Sequence, residues 1–350
     1  MKYIDSTLSL AAQKRINLLG MPKRNNELWS FFPVNKIPAQ HNVTDVDQSP
    51  ASPQQFQEAS QPTERLLPAI EDETDIAALL PLAKSAATMH KIFVENETEM
   101  GIIKSRDDFG HSFFEIQKGA KVSLEILDNK VSHDICSERF DIFVDEGADV
   151  EIFFANPAND LPLQFRHFNI VQKASSNVRL LNIIQDNKVG RISIDCNLNG
   201  ENATFDYRSL SLLKGDASKH QRLTIRHNAP NTRSSQFVRN LLDENAYASY
   251  DGNVVVGKNC SNVFSSQLVN TILLSESASV SVKPVLKIYH DDVECTHGNT
   301  CGELDKEQLF YLTSRGIPEP SARKMLTQAF AAELFTQIPD GPAKTRLLGL

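Results

Sequence analysis

The chain has 350 residues, of which 41% are hydrophobic and 23% charged, and its formal net charge is −8. That length and apolar content suit one elongated or two average domains with a real core, and the acidic balance argues against nucleic acid as a partner. Five cysteines in no regular framework, no signal-peptide pattern in the first thirty residues and no apolar run near the ~20 residues of a membrane helix lead us to expect a cytoplasmic protein without a membrane partner.

Residues 1–37 read as a small helical N-terminal region. Ser6 or Thr7 caps a helix over residues 6–19, with Leu10, Ile16, Leu18 and Leu19 as its apolar positions and Gly20 and Pro22 as its stop. Residues 26–32 carry the only tryptophan, Trp29, which reads as a packing anchor. Residues 38–68 shift to Pro, Gln, Ser and Asp with few large apolar side chains, the composition of a linker. Residues 69–88 form a short helical connector.

From 89 to 302 the texture becomes short alternating runs, such as Val122 to Ile126 and Val150 to Phe154, each opened by a tight turn of small residues. The turns align. Ala120, Ala148, Ser176 and Ala203 each hold the same place in their turn and follow one another at steps of 28, 28 and 27 residues. Asn245-Ala246 and Ser277-Ala278 read as later members at looser spacing. A period that steady, on strands, predicts stacked rungs of a parallel β-helix, with a β-sandwich as the alternative. Cys136, Cys196 and Cys260 fall on separate rungs and read as small core residues. His227 reads as a buried structural histidine or as a lining of the interior.

The last rungs run into a concentration of soft metal ligands, His290, Cys295, His297 and Cys301. On a strand, residues 295 and 297 share a face, so both can point at one metal. A zinc site built from all four is conceivable by ligand type, but the spacing fits no closed structural-zinc pattern. Asp291 and Asp292 would suit a calcium-dependent carbohydrate lyase or hydrolase on a β-helix, although adjacent strand residues point to opposite faces. Residues 303–338 read as a helical pair and 339–350 as a tail. Asp305 with Gln308 starts the first helix, with Leu309, Phe310 and Leu312 as its apolar residues and Gly316 as its stop. Pro318 and Pro320 open the second, with Met325, Leu326, Ala329, Phe330 and Leu334 on one side. No G-x-x-x-x-G-K-[ST] loop is present in the sequence, so any ATP hydrolysis belongs to a partner.

The segment 289–300, Tyr-His-Asp-Asp-Val-Glu-Cys-Thr-His-Gly-Asn-Thr, closely resembles the signature of the SufB/SufD family of iron-sulfur cluster assembly subunits. So do residues 302–305 and the stretch from Leu309 to Ile317. The likeness extends upstream through residues 225–230, Gln267, Asn270 and residues 273–275, and includes the segment from Gly20 to Trp29. It covers about residues 10 to 336. The resemblance implies a mainly β fold: a right-handed parallel β-helix core with helical parts at both ends. It implies a non-enzymatic scaffold that pairs with a SufB-like paralogue through the β-helix ends and docks a SufC-like ATPase on the C-terminal helices, at Leu309, Phe310, Leu312, Met325, Leu326 and Phe330. It also implies that His297 and Cys295 lie at the junction, where an iron-sulfur cluster is assembled transiently and shared with the partner, with none held tightly by the isolated chain. His290, Asn299 and Cys301 depart from the family pattern. A homodimeric interaction platform without metal chemistry is a further alternative, since strand edges of identical chains can pair.

Overall fold

A computed structural model describes residues 2–3, 6–20, 70, 73–84, 87–92, 98–104, 109–127, 135–156, 163–186 and 189–335. The 38–68 linker, the Trp29 segment and the 339–350 tail lie outside them. The chain opens with β1 (Lys2–Tyr3) and α1 (Ser6–Leu19), followed by α2 (Ile76–Lys84). Then come β2 (Ala87–Ile92), β3 (Thr98–Lys104), β4 (Phe109–Ile116), β5 (Lys121–Leu127), β6 (Ile135–Val144), β7 (Asp149–Asn156), β8 (Leu163–Gln172) and β9 (Asn177–Asp186). They continue with β10 (Val189–Leu198), β11 (Thr204–Leu213), β12 (Ser218–His227), β13 (Arg233–Leu242), β14 (Tyr247–Val256), β15 (Val263–Leu273), β16 (Ser279–Ile288) and β17 (Val293–Gly302). Two helices, α3 (Lys306–Ser314) and α4 (Glu319–Phe335), close the described part.

Successive strands alternate between two sheets. The even-numbered strands and β1 form a nine-stranded sheet ending at β16, and the odd-numbered strands from β3 form an eight-stranded sheet ending at β17. Apart from the β1–β2 pair, every strand pairing is parallel. That removes the sandwich alternative, whose sheets are antiparallel. Each strand therefore lies against the strand two places on, and the chain winds as a β-solenoid around one core that includes Phe114, Phe140, Ile152, Phe168, Leu180, Ile194, Phe205, Leu223 and Val238. Alternation along each strand turns these residues inward.

The aligned turns are what keep the winding regular. Gly119, Gly147, Ser175, Asn202 and Asn231 all have positive φ, the left-handed conformation that Gly and Asn adopt most readily. In each case the amide then donates to a carbonyl in the next turn of the stack: Gly119 to Glu146 at 2.9 Å, Gly147 to Ala174 at 2.9 Å, and Ser175 to Glu201 at 2.8 Å. The following residues Ala120, Ala148, Ser176 and Ala203 are buried, as their small size requires. The later members assigned from the sequence belong elsewhere. The stack continues through Asn231-Thr232 before β13 and Asn262-Val263 at the start of β15, whereas Ala246 and Ala278 join Ala217 in a second stack, just before β14, β16 and β12. Both columns set a small buried residue just before a strand, so sequence alone merges them, although the left-handed residue comes one place earlier in the first column and two places earlier, at Gly215 and Glu244, in the second.

The helices cover the outer faces. Leu8, Ala12 and Ile16 of α1 pack on Ile76, Leu79, Leu80 and Ala83 of α2 and on Phe113 of β4. Gly20 ends α1 with positive φ, its amide donating to Ile16 O at 2.9 Å. Pro81 inside α2 lacks the N–H that would bond the carbonyl four residues back. That carbonyl, on Ala77, instead accepts from Ser137 Oγ of β6 at 3.4 Å. On the opposite sheet, Ala331 and Leu334 of α4 pack on Leu181, Ile183, Leu210 and Leu241, with Phe330 alongside. No helix among the described residues is long and apolar enough to cross a membrane.

Candidate functional site at the open end of the solenoid

Strand β17 ends the eight-stranded sheet and β16 ends the other, and each has a described neighbour on one side only. At this end the core is left partly covered: Val280 and Val282 of β16 are half-buried, and Ile288 and Tyr289 beyond them are exposed. Among the described residues, an end rung with unpaired edges and an incompletely covered core is an unfinished surface for a solenoid.

The register places the ligand-bearing side chains. Ser265, Gln267, Val269 and Thr271 of β15 are the buried, inward positions of that strand, and they pair with Cys295, His297, Asn299 and Cys301 of β17. All four β17 residues therefore stand on the interior face of the last rung. Cys295 is half-buried and packs with Val254, Val256, Cys260, Val263 and Leu286. Burial pushes its thiol up from its ordinary value, against a hydrogen bond with the Ser265 backbone that pulls the other way. It is therefore a protonated thiol until a metal or a basic partner removes the proton. His297 is exposed, two residues on and about 7 Å along the strand.

The other two candidates stand apart. Cys301 is exposed and lies about 20 Å from Cys295 at strand rise. His290 sits in the turn before β17, where its Nδ1 accepts from the Asp292 amide at 3.1 Å. Among the described residues no group of three or more His, Cys, Asp or Glu is placed to hold a metal ion. Asp292 uses Oδ2 to accept from the Asn262 amide at 3.1 Å, a turn-to-turn link like those lower in the stack.

Beneath the rung lies a polar column that the sequence pattern does not reveal. His227 is buried with Nδ1 bonded to Thr232 Oγ1 at 2.8 Å and Nε2 to Ser234 Oγ at 2.9 Å, and Ser234 Oγ meets Ser265 Oγ at 2.8 Å. Burial pulls the His227 pKa down to about 4, so the ring is neutral and held as a structural group. Cys136, Cys196 and Cys260 are buried in separate rungs, as small core residues are.

After the rung, Asp305 caps α3, its Oδ1 accepting from the amides of Glu307 at 2.8 Å and Gln308 at 3.2 Å. Gly316, with positive φ, ends the helix. Phe310 is 73% and Met325 48% exposed, while Leu309, Leu312 and Leu326 are half-buried. Phe330 is turned toward the solenoid: its ring lies 4.9 Å from the Arg239 guanidinium, which donates to the Phe330 carbonyl. It anchors α4.

The fold is thus a two-sheet parallel β-solenoid whose last described rung carries a cysteine and a histidine on its interior face. The family model described as SUF system FeS cluster assembly, SufBD core domain, matches residues 101–330, and the chain belongs to that family. Its likeness within the family is to SufD. It is 32% identical to the Escherichia coli iron-sulfur cluster assembly protein SufD over 57% of this chain and 46% of that protein. It is 32% identical to a SufBD family protein of Synechocystis over 51% of this chain and 39% of the relative. With a SufBD family protein of Mycobacterium bovis the identity is 22%, over 97% of this chain and 90% of the relative. The chain thus spans less than half the length of the first two relatives.

Proposed function

We propose that this chain is a non-enzymatic scaffold subunit of a cytoplasmic SUF assembly complex, which pairs with a SufB-like paralogue through the β16/β17 end. The observation that carries the reading is the position of Cys295 and His297 on the interior face of a strand that ends its sheet among the described residues. Two donors are too few to retain an iron-sulfur cluster, which takes four ligands in its stable protein sites. A junction completed by a partner's donors suits a cluster that is built and then passed on. In this reading Cys295 and His297 are the chain's contribution to the nascent cluster, which is cargo. Cys301 lies about 20 Å from Cys295 along the strand, and the Nδ1 of His290 is engaged by the Asp292 amide, so neither is counted with the pair. The exposed apolar residues of α3 and α4, Phe310 and Met325 with Leu309, Leu312 and Leu326 beside them, form the docking face for a SufC-like ATPase.

Co-expression with SufB-like and SufC-like proteins, followed by size exclusion and anaerobic iron and sulfide quantification, tests this. The expected result is a three-component complex that loads cluster in the wild type and loses it in His297→Ala. Recovery of only a homodimer of this chain would remove the paralogue pairing and favour the homodimeric platform.

A further inference from the structure

The polar column beneath the terminal rung ends in an unused pair of hydrogen-bonding atoms. Gln236 of β13, Gln267 of β15 and His297 of β17 are register partners on successive rungs, all on the interior face. Tyr250 Oη donates to Gln236 Oε1 from across the interior. Gln267 is only 2% exposed, yet among the described residues neither its Oε1 nor its Nε2 has a hydrogen-bond partner, and Gln236 Nε2 is likewise unpartnered. A buried amide left without partners is disfavoured, so a position holding one is filled by an apolar side chain unless the amide has something to meet. Its register partner on the last described rung is His297.

We propose that Gln267 is the positioning residue for His297: its Oε1 accepts the imidazole N–H from one rung below and leaves the other ring nitrogen's lone pair free for an incoming metal. Neighbouring strands are about 4.8 Å apart and side chains at paired positions of one face are in reach of each other, so an amide and a ring stacked this way need only a rotamer adjustment. Both idle atoms of Gln267 are then used. Gln236 Oε1 has a second lone pair for Gln267 Nε2–H, which orients the Gln267 amide with its oxygen toward the histidine. A ligating histidine commonly hands its second N–H to such an acceptor, and that acceptor fixes the tautomer and the ring plane. The same column explains why Gln267 is not Leu or Val, as the inward positions Val263 and Val269 of the same strand are.

The assignment rests on the proposed function for the identity of the incoming ligand, but the hydrogen bond can be read without it. In the full chain, the ring 15N shifts of His297 at pH 8.5 are compared among wild type, Gln267→Met and Gln267→Glu, with His297→Ala to assign the signals. One dominant tautomer in wild type and Gln267→Glu, with a shift toward the free-imidazole mixture in Gln267→Met, is the expected result. Identical shifts in wild type and Gln267→Met would overturn the proposal, most plainly if Gln267→Met also melts at or above the wild-type temperature, as removal of an idle buried amide should. Cluster loading in the complex separates the two claims. If the tautomer responds to Gln267 but His297→Ala still loads cluster, positioning stands and the ligand role falls. If His297→Ala abolishes loading but the tautomer ignores Gln267, the ligand role stands and the positioning falls.

Discussion

Arg191 in β10 donates through Nη1 to Asp75 Oδ1 at 2.7 Å, and Asp75 is at the same time the cap of α2, its Oδ1 accepting from the Ala77 amide at 3.1 Å. Both partners are buried. Burial alone would raise the Asp75 carboxyl, but the Arg191 guanidinium outweighs it and holds the group below the ordinary carboxylate range. One ion pair therefore fastens the N-terminal helices to the solenoid across more than a hundred residues of chain. Arg139 adds a second fastening, chelating Asp141 at 2.8 and 2.9 Å while its Nη1 donates to the Ala78 carbonyl at 3.1 Å. Removing one member of such a buried pair leaves the other charged and unmatched, a loss of about 3–5 kcal/mol. Arg191→Met and Asp75→Asn should each destabilise by that order in urea unfolding, and the double variant by clearly less than their sum. Asparagine still caps a helix, so additive losses would show that the pair itself contributes nothing.

Glu73 sits beside this cluster and behaves oppositely. Burial first, then the charges of Asp195 and Asp75, push its pKa up to about 7, with Arg139 pulling the other way. Between about 4.5, its unfolded value, and about 7 the native state holds a proton that the unfolded state lacks. That contribution favours the fold on the acid side and is lost as pH rises through 7, an effect of about 3 kcal/mol at most. The buried His167, drawn down to about 4 by burial and by Arg139, runs the other way and weakens the fold as pH falls below 6.5. The two must be separated by substitution. Glu73→Gln keeps the oxygen that accepts from the Thr74 and Asp75 amides at 2.9 Å, so it should melt above wild type at pH 8 and converge with it at pH 5. A difference independent of pH would refute the raised pKa.

The sequence carried the solenoid because the device that builds it is local: a small residue after a left-handed one, repeated at a near-constant step. It could not separate the two turn columns, because Ala217, Ala246 and Ala278 are, like Ala120 and Ala148, small residues set just before a strand, although the left-handed residue stands one place ahead of Ala120 and Ala148 and two places ahead of Ala217 and Ala246. The pairing of Cys295 with His297 was legible for the same reason, since alternation along a strand is a property of neighbours. The fastening of α2 was not. Arg139, Asp141 and Arg191 alternate with apolar residues as a solvent-facing row would, and only the helix lying over them makes them interior. Nothing near residue 191 in the sequence points to residue 75. Gln267 meets His297 only through a register some 30 residues long, which no local pattern states.

The turn stack makes its own prediction. Ala148 is fully buried, with the Asp149 amide bonded to Ala120 O at 2.8 Å and the Asn177 amide to Ala148 O at 2.8 Å. A larger side chain there has no room between rungs. Ala148→Leu should destabilise by about 1–3 kcal/mol through overpacking, read as a lowered melting temperature. Glu146→Leu, two residues away on the exposed side of the same turn, should stay within about 0.5 kcal/mol of wild type. Equal effects at the two sites would mean that the column is not the packed element it is taken to be.

The C-terminal helices divide their apolar residues between two jobs, and substitution should separate them. Phe310 and Met325 face solvent, so a glutamate at either position removes exposed apolar area and leaves the packing of α4 on the solenoid untouched. In the complex reading, Phe310→Glu and Met325→Glu retain the wild-type melting temperature but lose at least tenfold in affinity for a SufC-like ATPase in calorimetric titration. Phe330 belongs to the other group, because its ring is held by Arg239 and lies beside the apolar residues of β9, β11 and β13. Phe330→Glu would bring a charge into that contact and release α4, lowering the melting temperature and weakening ATPase binding together. If Phe310→Glu bound as wild type while Phe330→Glu alone lost binding, the docking face would have to lie on the other side of the helical pair, or on the solenoid wall that α4 covers.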